Sequence, residues 1–300
     1  MVFGDSVRNQ TGSARKFQAL AAAMLAGAFL TAPAQASETA ASSTTFEPTV
    51  GQSGKDVVWV PTSQSLVNQM LDLARLTPDD ILVDLGSGDG RTVITAAQRG
   101  STARGVEYNP DMVAISRKAA QDAGVTDRAT FIHGDIFETD FSDADVLTLF
   151  LLPSLNVKLR PTILDMKPGT RVVSNSFAMG DWDADKSINV TEGCSSYCTA
   201  LLWIVPANVQ GTWGLSGQKL ELSQMYQKLQ GKLIDAGQDT LITDASLDGE
   251  NIEFKVNGKH YVGKVDGDTM GGMIDGSQVW AAVRESTEVA GGPPKPWFGQ

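Results

Sequence analysis

The chain has 300 residues, of which 42% are apolar, and a formal net charge of −11 from 35 acidic and 24 basic residues. This length fits two ordinary domains, and the apolar fraction is sufficient to bury a core. An acidic balance of this size argues against nucleic acid as a partner, because phosphate binding requires a basic surface.

The first 36 residues have the pattern of a secretory signal peptide. A basic stretch over residues 8–16 precedes an apolar run over residues 19–30, and Ala34-Gln35-Ala36 provides a small-x-small cleavage site. The apolar run is shorter than the roughly 20 residues that span a membrane as a helix. The pattern predicts cleavage near Ala36, a periplasmic or secreted bacterial protein, and no integral membrane segment after cleavage.

Residues 37–56 are rich in Ser, Thr, Ala and Glu, a composition that predicts a linker. From residue 57 to about residue 206, short apolar runs alternate with helical stretches. The predicted strands span residues 81–83, 103–107, 130–133, 146–150 and 171–174, and the predicted helices span residues 62–75, 91–98, 110–123 and 154–166. Apolar strands between helices indicate a parallel sheet covered on both faces, in a doubly wound α/β architecture.

The periodicity changes to two after residue 206. Ile252, Phe254 and Val256 alternate with polar neighbours, and hairpin turn signals recur at Asp248-Gly249, Asn257-Gly258 and Asp266-Gly267. The pattern predicts an antiparallel β-domain over residues 207–286, built as a small barrel or a curved sheet. Its aromatic side chains are expected in the core, namely Trp213, Tyr226, Tyr261 and Trp280. The proline-containing tail over residues 287–300 is expected to be flexible.

A glycine-rich segment, Asp84-Leu85-Gly86-Ser87-Gly88-Asp89-Gly90, lies between the first predicted strand and the next helix. Glycines there allow a tight turn and a close approach of the backbone to a ligand. The N-terminus of the helix offers free N–H groups to a carboxylate, and Asp84 can face an amino group. The segment therefore suits the zwitterionic end of an amino acid.

Two further acidic side chains follow the next two strands. Glu107 can accept hydrogen bonds from both hydroxyls of a ribose, and Asp135 in Gly134-Asp135-Ile136 can accept from the amino group of adenine. The carboxyl ends of consecutive parallel strands meet at one edge of the sheet, where open α/β folds bind ligands. The three acidic positions together predict a site for an amino acid joined to a nucleoside.

Two alternatives to this interpretation remain. A dinucleotide-binding Rossmann loop has the pattern Gly-x-Gly-x-x-Gly, but here the third glycine comes one position early and Arg91 stands in its place. That alternative also leaves Asp84 and Asp135 unexplained. The second alternative is that the glycines only form a turn and the acids only cap helices, although three glycines exceed what one such turn needs.

The segments Asp84–Arg91 and Val106-Glu107-Tyr108-Asn109-Pro110 resemble the class I, seven-strand, S-adenosylmethionine-dependent methyltransferases. The closest resemblance is to the protein-lysine methyltransferases of mitochondrial ATP synthase and to bacterial exported relatives with a C-terminal β-domain. It covers about residues 57–206 and implies a Rossmann-like seven-strand sheet with S-adenosyl-L-methionine as the cofactor. The cofactor-binding residues that it implies are Asp84, Gly86, Ser87, Gly88, Gly90, Glu107, Tyr108, Asp135 and Ile136.

The residues on the acceptor side are less well defined. Phe150-Leu151-Leu152-Pro153 stands where related enzymes have Asn-Pro-Pro-Tyr, but no Asn precedes Pro153 and no Tyr follows it. This difference argues against an amide nitrogen or an exocyclic amine as the acceptor. The candidates for the acceptor pocket are Phe150, Pro153, Asn175 and Ser176, each of which could equally pack or close a turn. His133 could act as a base, although a structural place at its strand end is favoured.

No metal site is expected, because the two cysteines, Cys194 and Cys198, lack further ligands at a suitable spacing. In an oxidising compartment these cysteines form a small disulfide, and otherwise they remain free thiols. Two functional hypotheses follow. The first is a methyltransferase whose acceptor is a small molecule or a protein, with a protein lysine implied by the resemblance. The second is an exported binding or scaffold protein that keeps the methyltransferase fold without turnover. The oligomeric state is not indicated.

Overall fold

The computed structural model describes residues 46–289. The predicted signal peptide and residues 290–300 of the predicted tail lie outside the described residues. Between residues 46 and 289, no helix combines the length and the apolar character needed to cross a membrane.

The N-terminal part of the described chain contains four helices and seven strands. The helices are α1 (Gln64–Leu73), α2 (Arg91–Gln98), α3 (Pro110–Asp122) and α4 (Pro153–Leu164). The strands are β1 (Ile81–Leu85), β2 (Thr102–Glu107), β3 (Ala129–His133), β4 (Val146–Leu149), β5 (Arg171–Asn175), β6 (Lys186–Asn189) and β7 (Thr199–Ile204).

These strands form one sheet with the order β3-β2-β1-β4-β5-β7-β6, which confirms the Rossmann-like seven-strand fold. Strands β1 to β5 are parallel, and β6 and β7 are antiparallel. Helices α1 and α2 pack with one face of the sheet in a core that includes Leu66, Val93 and Val146. A second core cluster includes Val83, Leu147 and Ile163. The strand order reverses between β1 and β4, and this switch point is where open α/β sheets form a ligand crevice.

The C-terminal part contains nine antiparallel strands. They are β8 (Gly211–Leu215), β9 (Gln218–Met225), β10 (Lys228–Asp235), β11 (Gln238–Leu241), β12 (Thr243–Asp248), β13 (Asn251–Val256), β14 (Lys259–Asp266), β15 (Thr269–Ile274) and β16 (Gln278–Ser286). Eight of them close into a barrel, because β9 pairs with both β8 and β10, while β11 extends from β10. Trp213, Phe254 and Trp280 fill the interior together with aliphatic side chains, so the barrel encloses a packed core.

The barrel is fastened to the seven-strand domain through aromatic and amide contacts. Tyr226 stacks on Trp182 with ring centroids 5.5 Å apart, and its hydroxyl donates to Asp181 Oδ1 at 3.0 Å. Trp182 Nε1 in turn donates to Gln227 Oε1 at 2.9 Å. Tyr226 therefore lies at the junction with the seven-strand domain, and not in the barrel core as its alternation with polar residues predicts, whereas Trp213, Tyr261 and Trp280 are buried in that core.

Candidate active site

The loop between β1 and α2 turns sharply over the end of β2. The N–H groups of Gly86 and Ser87 both donate to the carbonyl oxygen of Val106, at 2.8 and 3.0 Å. Gly88 has a φ of +54°, and a Cβ atom at this position would lie only 2.6 Å from Trp59 Nε1. Glycine is therefore required here by the backbone conformation and by the close approach of the tryptophan.

One cleft lies at the carboxyl ends of β1, β2 and β4. The predicted residues that line it are Asp84, Gly86, Ser87, Gly88, Glu107, Tyr108, Asp135, Ile136 and Phe150. Lining residues that were not predicted include Lys55, Trp59, Thr62, Asn109 and Met112. The three carboxylates expected to bind one ligand thus share one cleft.

Gly90 is the exception among the predicted cofactor residues. It has a φ of +80° at the N-cap of α2, and a Cβ atom there would lie 2.7 Å from the Phe131 ring and 2.9 Å from Ser116 Cβ. Its role is to let the start of the helix pack closely on β3 and α3, so it lies beneath the loop and does not line the cleft.

Asp84 is a buried carboxylate at the end of β1. Its Oδ1 accepts a hydrogen bond from Thr148 Oγ1 at 2.6 Å. Burial raises the pKa of Asp84 to about 7; the Thr148 hydrogen bond opposes this rise, and the nearby charges of Asp89 and Glu107 add to it. A cationic group in the cleft would stabilise the ionised form, so Asp84 suits the ammonium of an amino acid ligand.

Replacing Thr148 by valine is expected to raise the pKa of Asp84 further, because the side chain keeps its shape but loses the hydroxyl that favours the ionised carboxylate. The pH midpoint for S-adenosylmethionine binding should move up by about one unit, the size expected for one hydrogen bond to a charged group. Calorimetric titrations between pH 6 and pH 9 measure this midpoint. A Thr148→Ser variant keeps the donor and should retain the wild-type midpoint. An unchanged midpoint in Thr148→Val would contradict the role given to the hydroxyl.

Glu107 lies half-buried at the end of β2 and joins two loops. Its Oε2 accepts from the N–H of Gly88 at 2.9 Å, and its Oε1 accepts from the N–H of Asn109 at 2.8 Å. A carboxylate has about four lone-pair positions, so each oxygen can still accept from one ribose hydroxyl. Glu107 can therefore position the glycine loop and bind the sugar at the same time. Next to it, Tyr108 is 50% exposed and lines the cleft from outside.

Asp135 follows β3 and forms an ion pair with Lys55. It also accepts from the N–H of Phe137 at 2.9 Å, and these two donors hold the pKa of Asp135 below its usual range. The Lys55 ammonium lies 4.9 Å from the centre of the Tyr108 ring. The carboxylate expected to accept from an adenine amino group is thus paired with a lysine of the preceding segment.

Replacing Lys55 by methionine is expected to speed S-adenosylmethionine association by about threefold, because adenine no longer has to displace an ammonium from Asp135. Stopped-flow measurement of tryptophan fluorescence would report the rate through Trp59. Wild-type association should accelerate with added salt, which screens this exposed pair, and the variant should lose that dependence. Lys118→Met, which removes the exposed pair with Asp122, serves as the matched control. A slower variant would show that Lys55 assists binding.

Residues 52–62 cover the cleft. Their backbone is held by hydrogen bonds from Gly51 N to Trp59 O at 2.8 Å and from Trp59 N to Gln52 O at 2.9 Å. Residues 46–56, whose composition predicts part of a linker, therefore contain ordered cleft-lining residues. A Ser- and Gly-containing composition is shared by linkers and ligand-covering loops, so only the tertiary contacts distinguish the two.

The four candidates for the acceptor pocket separate in the structure. Phe150 lines the cleft, whereas Pro153 is an exposed first residue of α4. Asn175 is buried, donates to Thr62 Oγ1 at 3.2 Å and accepts from Ser176 Oγ at 2.8 Å. Ser176 has a φ of +61° and forms the turn after β5. Pro153, Asn175 and Ser176 do not line the cleft; they start a helix and tie the covering segment to β5.

Cys194 and Cys198 form a disulfide with Cα atoms 5.8 Å apart, which resolves the choice between a bridge and free thiols. Within residues 46–289, no group of three or more His, Cys, Asp or Glu side chains is placed to hold a metal ion. His133, considered as a base, is an exposed strand-end residue whose ring meets the edge of Tyr108 at 6.3 Å.

The cleft fits S-adenosylmethionine by its own chemistry. The hydroxyl of Ser87 is buried at the cleft without a hydrogen-bond partner, and Asp84 is a buried carboxylate without a cation beside it among the described residues. Ligand groups that supply a hydrogen-bond partner and an ammonium would satisfy both. Asp84 would hold the amino group, Glu107 the ribose, and Asp135 with Ile136 the adenine.

Comparisons with known proteins agree with this geometry. A family model described as the ANTKMT methyltransferase domain matches residues 84–186. The protein-lysine N-methyltransferase of Saccharolobus islandicus is 40% identical over 152 residues, which cover 50% of this chain and 94% of that protein. A lysine N-methyltransferase of Mus musculus that is named for a component of ATP synthase is 38% identical over 105 residues, covering 35% of this chain and 42% of that protein. The chain thus spans less than half the length of the mouse enzyme.

A solved structure is also similar to the chain. It is an RNA methyltransferase from Salinibacter ruber in complex with S-adenosyl-L-homocysteine, with 45% identity, coverage of 50% of this chain and 96% of that one, and a TM-score of 0.47. The match to the archaeal enzyme extends over nearly its whole length and favours a methyltransferase over an exported scaffold. This chain belongs to the family of S-adenosylmethionine-dependent methyltransferases that includes the protein-lysine N-methyltransferase of Saccharolobus islandicus.

Proposed function

We propose that this protein transfers the methyl group of S-adenosylmethionine to the ε-amino group of a lysine in a protein. The observation that carries the proposal is the meeting of Asp84, Glu107 and Asp135 at one cleft, with Phe150 at its edge. The lysine acceptor is supported by the name of the archaeal relative, which aligns with this chain over nearly its full length. The acidic net charge of −11 further favours a protein over a nucleic acid as the acceptor.

The reaction makes few demands on acid–base groups. When bound, S-adenosylmethionine supplies a methyl group on a positively charged sulfur. The acceptor amine must first lose a proton, and its lone pair then forms the carbon–nitrogen bond while the electrons of the carbon–sulfur bond remain on sulfur. The chain contributes mainly orientation and exclusion of water. Trp59 and the rest of the covering segment lie over the glycine loop, and Phe150 presents an apolar surface at the edge of the cleft.

The test is methyl transfer by the full chain with its disulfide intact. The protein is incubated with S-adenosylmethionine carrying a labelled methyl group and with a cell-envelope fraction, and mass spectrometry locates the label. We expect labelled methyl-lysine in protein, and no label when the Glu107→Ala variant replaces the wild type. A parallel reaction with total RNA is expected to remain unlabelled. Label in RNA, or in protein residues other than lysine, would overturn the proposed acceptor.

We also infer that the protein acts outside the bacterial cytoplasm, in the periplasm or as a secreted protein, after cleavage near Ala36. The N-terminal pattern of residues 8–36 supports export, and the bridge between Cys194 and Cys198 is a type of bond that persists in oxidising compartments. N-terminal sequencing of the protein from fractionated cells tests this inference. A mature chain that retains the first 36 residues, or that is found only in the cytoplasm, would contradict it.

A further inference from the structure

Three aromatic rings meet at the edge of the cofactor cleft. The centre of the Phe150 ring lies 6.1 Å from that of Phe177 and 5.3 Å from that of Tyr197, and the Phe177 and Tyr197 centres are 5.7 Å apart. Phe150 lines the cleft, Phe177 is half-buried, and Tyr197 is 46% exposed. These three residues, called the aromatic platform below, form a continuous surface from the cleft to solvent.

Tyr197 belongs to the loop closed by the disulfide. Its φ of +54° is unfavourable for a residue with a side chain, so the surrounding structure has to maintain it. The bridge between Cys194 and Cys198 confines the loop, and Ser65 Oγ anchors it to the start of α1 by donating to the carbonyl oxygen of Gly193 at 2.9 Å. On the other side, the N–H of Ser176 donates to Thr199 O at 2.8 Å. The loop is thus held against α1 and against the turn that carries Phe177.

We propose that the aromatic platform formed by Phe150, Phe177 and Tyr197 receives the side chain of the acceptor lysine, and that the Cys194–Cys198 bridge holds Tyr197 in this platform. This inference rests on the proposed lysine methyltransferase function and identifies the residues that position the acceptor.

The chemistry of the platform suits a lysine side chain. A ring face attracts a lysine or methylated lysine ammonium through its quadrupole when the cation lies within about 6 Å of the ring centre. The apolar ring surface also packs against the four methylene groups of the lysine stem. Closer to the cleft, low polarity disfavours the charged amine, which is the direction required for transfer. A cation can therefore be recognised at the exposed Tyr197 and lose its proton on the way to the cleft.

The test separates acceptor binding from cofactor binding. The full chain is saturated with S-adenosylhomocysteine and titrated with Nα-acetyl-lysine methylamide, followed by ligand-observed NMR. Nα-acetyl-norleucine methylamide, which has the same carbon side chain without the amine, is the neutral comparison. We expect the lysine probe to bind about threefold more tightly than the norleucine probe. We expect Tyr197→Ala to remove this preference and Tyr197→Phe to retain it, because the phenyl ring keeps its face.

The part played by the bridge is tested by combining variants. The double variant Cys194→Ser/Cys198→Ser, or treatment of the wild type with a reductant, should lower the preference for lysine. Neither should have any further effect when Tyr197→Ala is already present, because the bridge acts through that ring. Calorimetry with S-adenosylmethionine should give wild-type affinity for every one of these variants.

Three outcomes would overturn the inference while leaving the proposed function intact: equal binding of the two probes by the wild type, an unchanged preference in Tyr197→Ala, or an effect of reduction that persists without the tyrosine. Loss of cofactor binding in Tyr197→Ala would also overturn it, since the platform would then support the cofactor site. Failure of the proposed function itself would appear separately, as absent methyl transfer to protein lysine by the wild type.

Discussion

Replacing Glu107 by alanine is expected to lower the affinity for S-adenosylmethionine by at least about 100-fold. The side chain accepts from the N–H groups of Gly88 and Asn109, and it is positioned to accept from the ribose as well. Each hydrogen bond to a charged group contributes about 1.5–3 kcal/mol, and the alanine variant loses both the sugar contacts and the hold on the glycine loop. Isothermal calorimetry on the full chain would measure the change.

The controls separate the charge of Glu107 from its shape. Glu107→Gln keeps the size of the side chain and one acceptor oxygen, so it should lose less affinity than the alanine variant. Glu138→Gln changes an exposed carboxylate of the same domain and should bind as the wild type does. Circular dichroism would establish that Glu107→Ala remains folded. Wild-type affinity in a folded Glu107→Ala variant would refute the assignment of the ribose site.

Replacing Asp84 by asparagine is expected to stabilise the ligand-free protein at pH 8 while weakening cofactor binding by about 100-fold, because the ionised carboxylate opposes folding and attracts the ligand ammonium. Its pKa is raised from 3.8 to about 7, chiefly by burial. The folded protein therefore retains a proton that the unfolded chain releases near pH 4. Stability falls as the pH rises between these values, by about 4 kcal/mol in total at about 1.4 kcal/mol per pH unit.

The stability of the Asp84→Asn variant should show the opposite pattern with pH to that of its cofactor affinity. Urea denaturation of the ligand-free proteins should give the variant an advantage of about 2 kcal/mol at pH 8, which disappears at pH 5, where the wild-type carboxyl is protonated. Saturating S-adenosylmethionine should stabilise the wild type more than the variant at pH 8. A variant that is less stable than the wild type at pH 8 would show that Asp84 is not held in an unfavourable ionised state.

The parallel strands of the seven-strand sheet are well predicted from the sequence. Strands β1 to β5 and helices α2 and α3 lie within two residues of the predicted ranges, because apolar runs and helical periodicity are local signals. The carboxyl-end positions of Asp84, Glu107 and Asp135 follow from the same pattern, since parallel strands place their ends at one edge.

The covering segment and its contacts could not be obtained in this way. Trp59 and Lys55 precede the first helix, and they reach the cleft only because the chain folds back over Gly88 and Asp135. Strand β6 has a polar, mostly exposed sequence, and its place beyond β7 depends on a long-range antiparallel pairing. In the barrel, the turn signals predict hairpins, but closure through β9 and β10 is a property of the whole ring.

The seam of the barrel has a consequence for the history of the chain. The first barrel strand pairs with the last, Thr212 lying opposite Ser286, so the polypeptide enters and leaves the barrel at adjoining strands. A unit with neighbouring ends can be gained or lost by recombination without rerouting the parent sheet. The archaeal relative, which aligns with only half of this chain yet over 94% of its own length, is a lineage counterpart without the appended module.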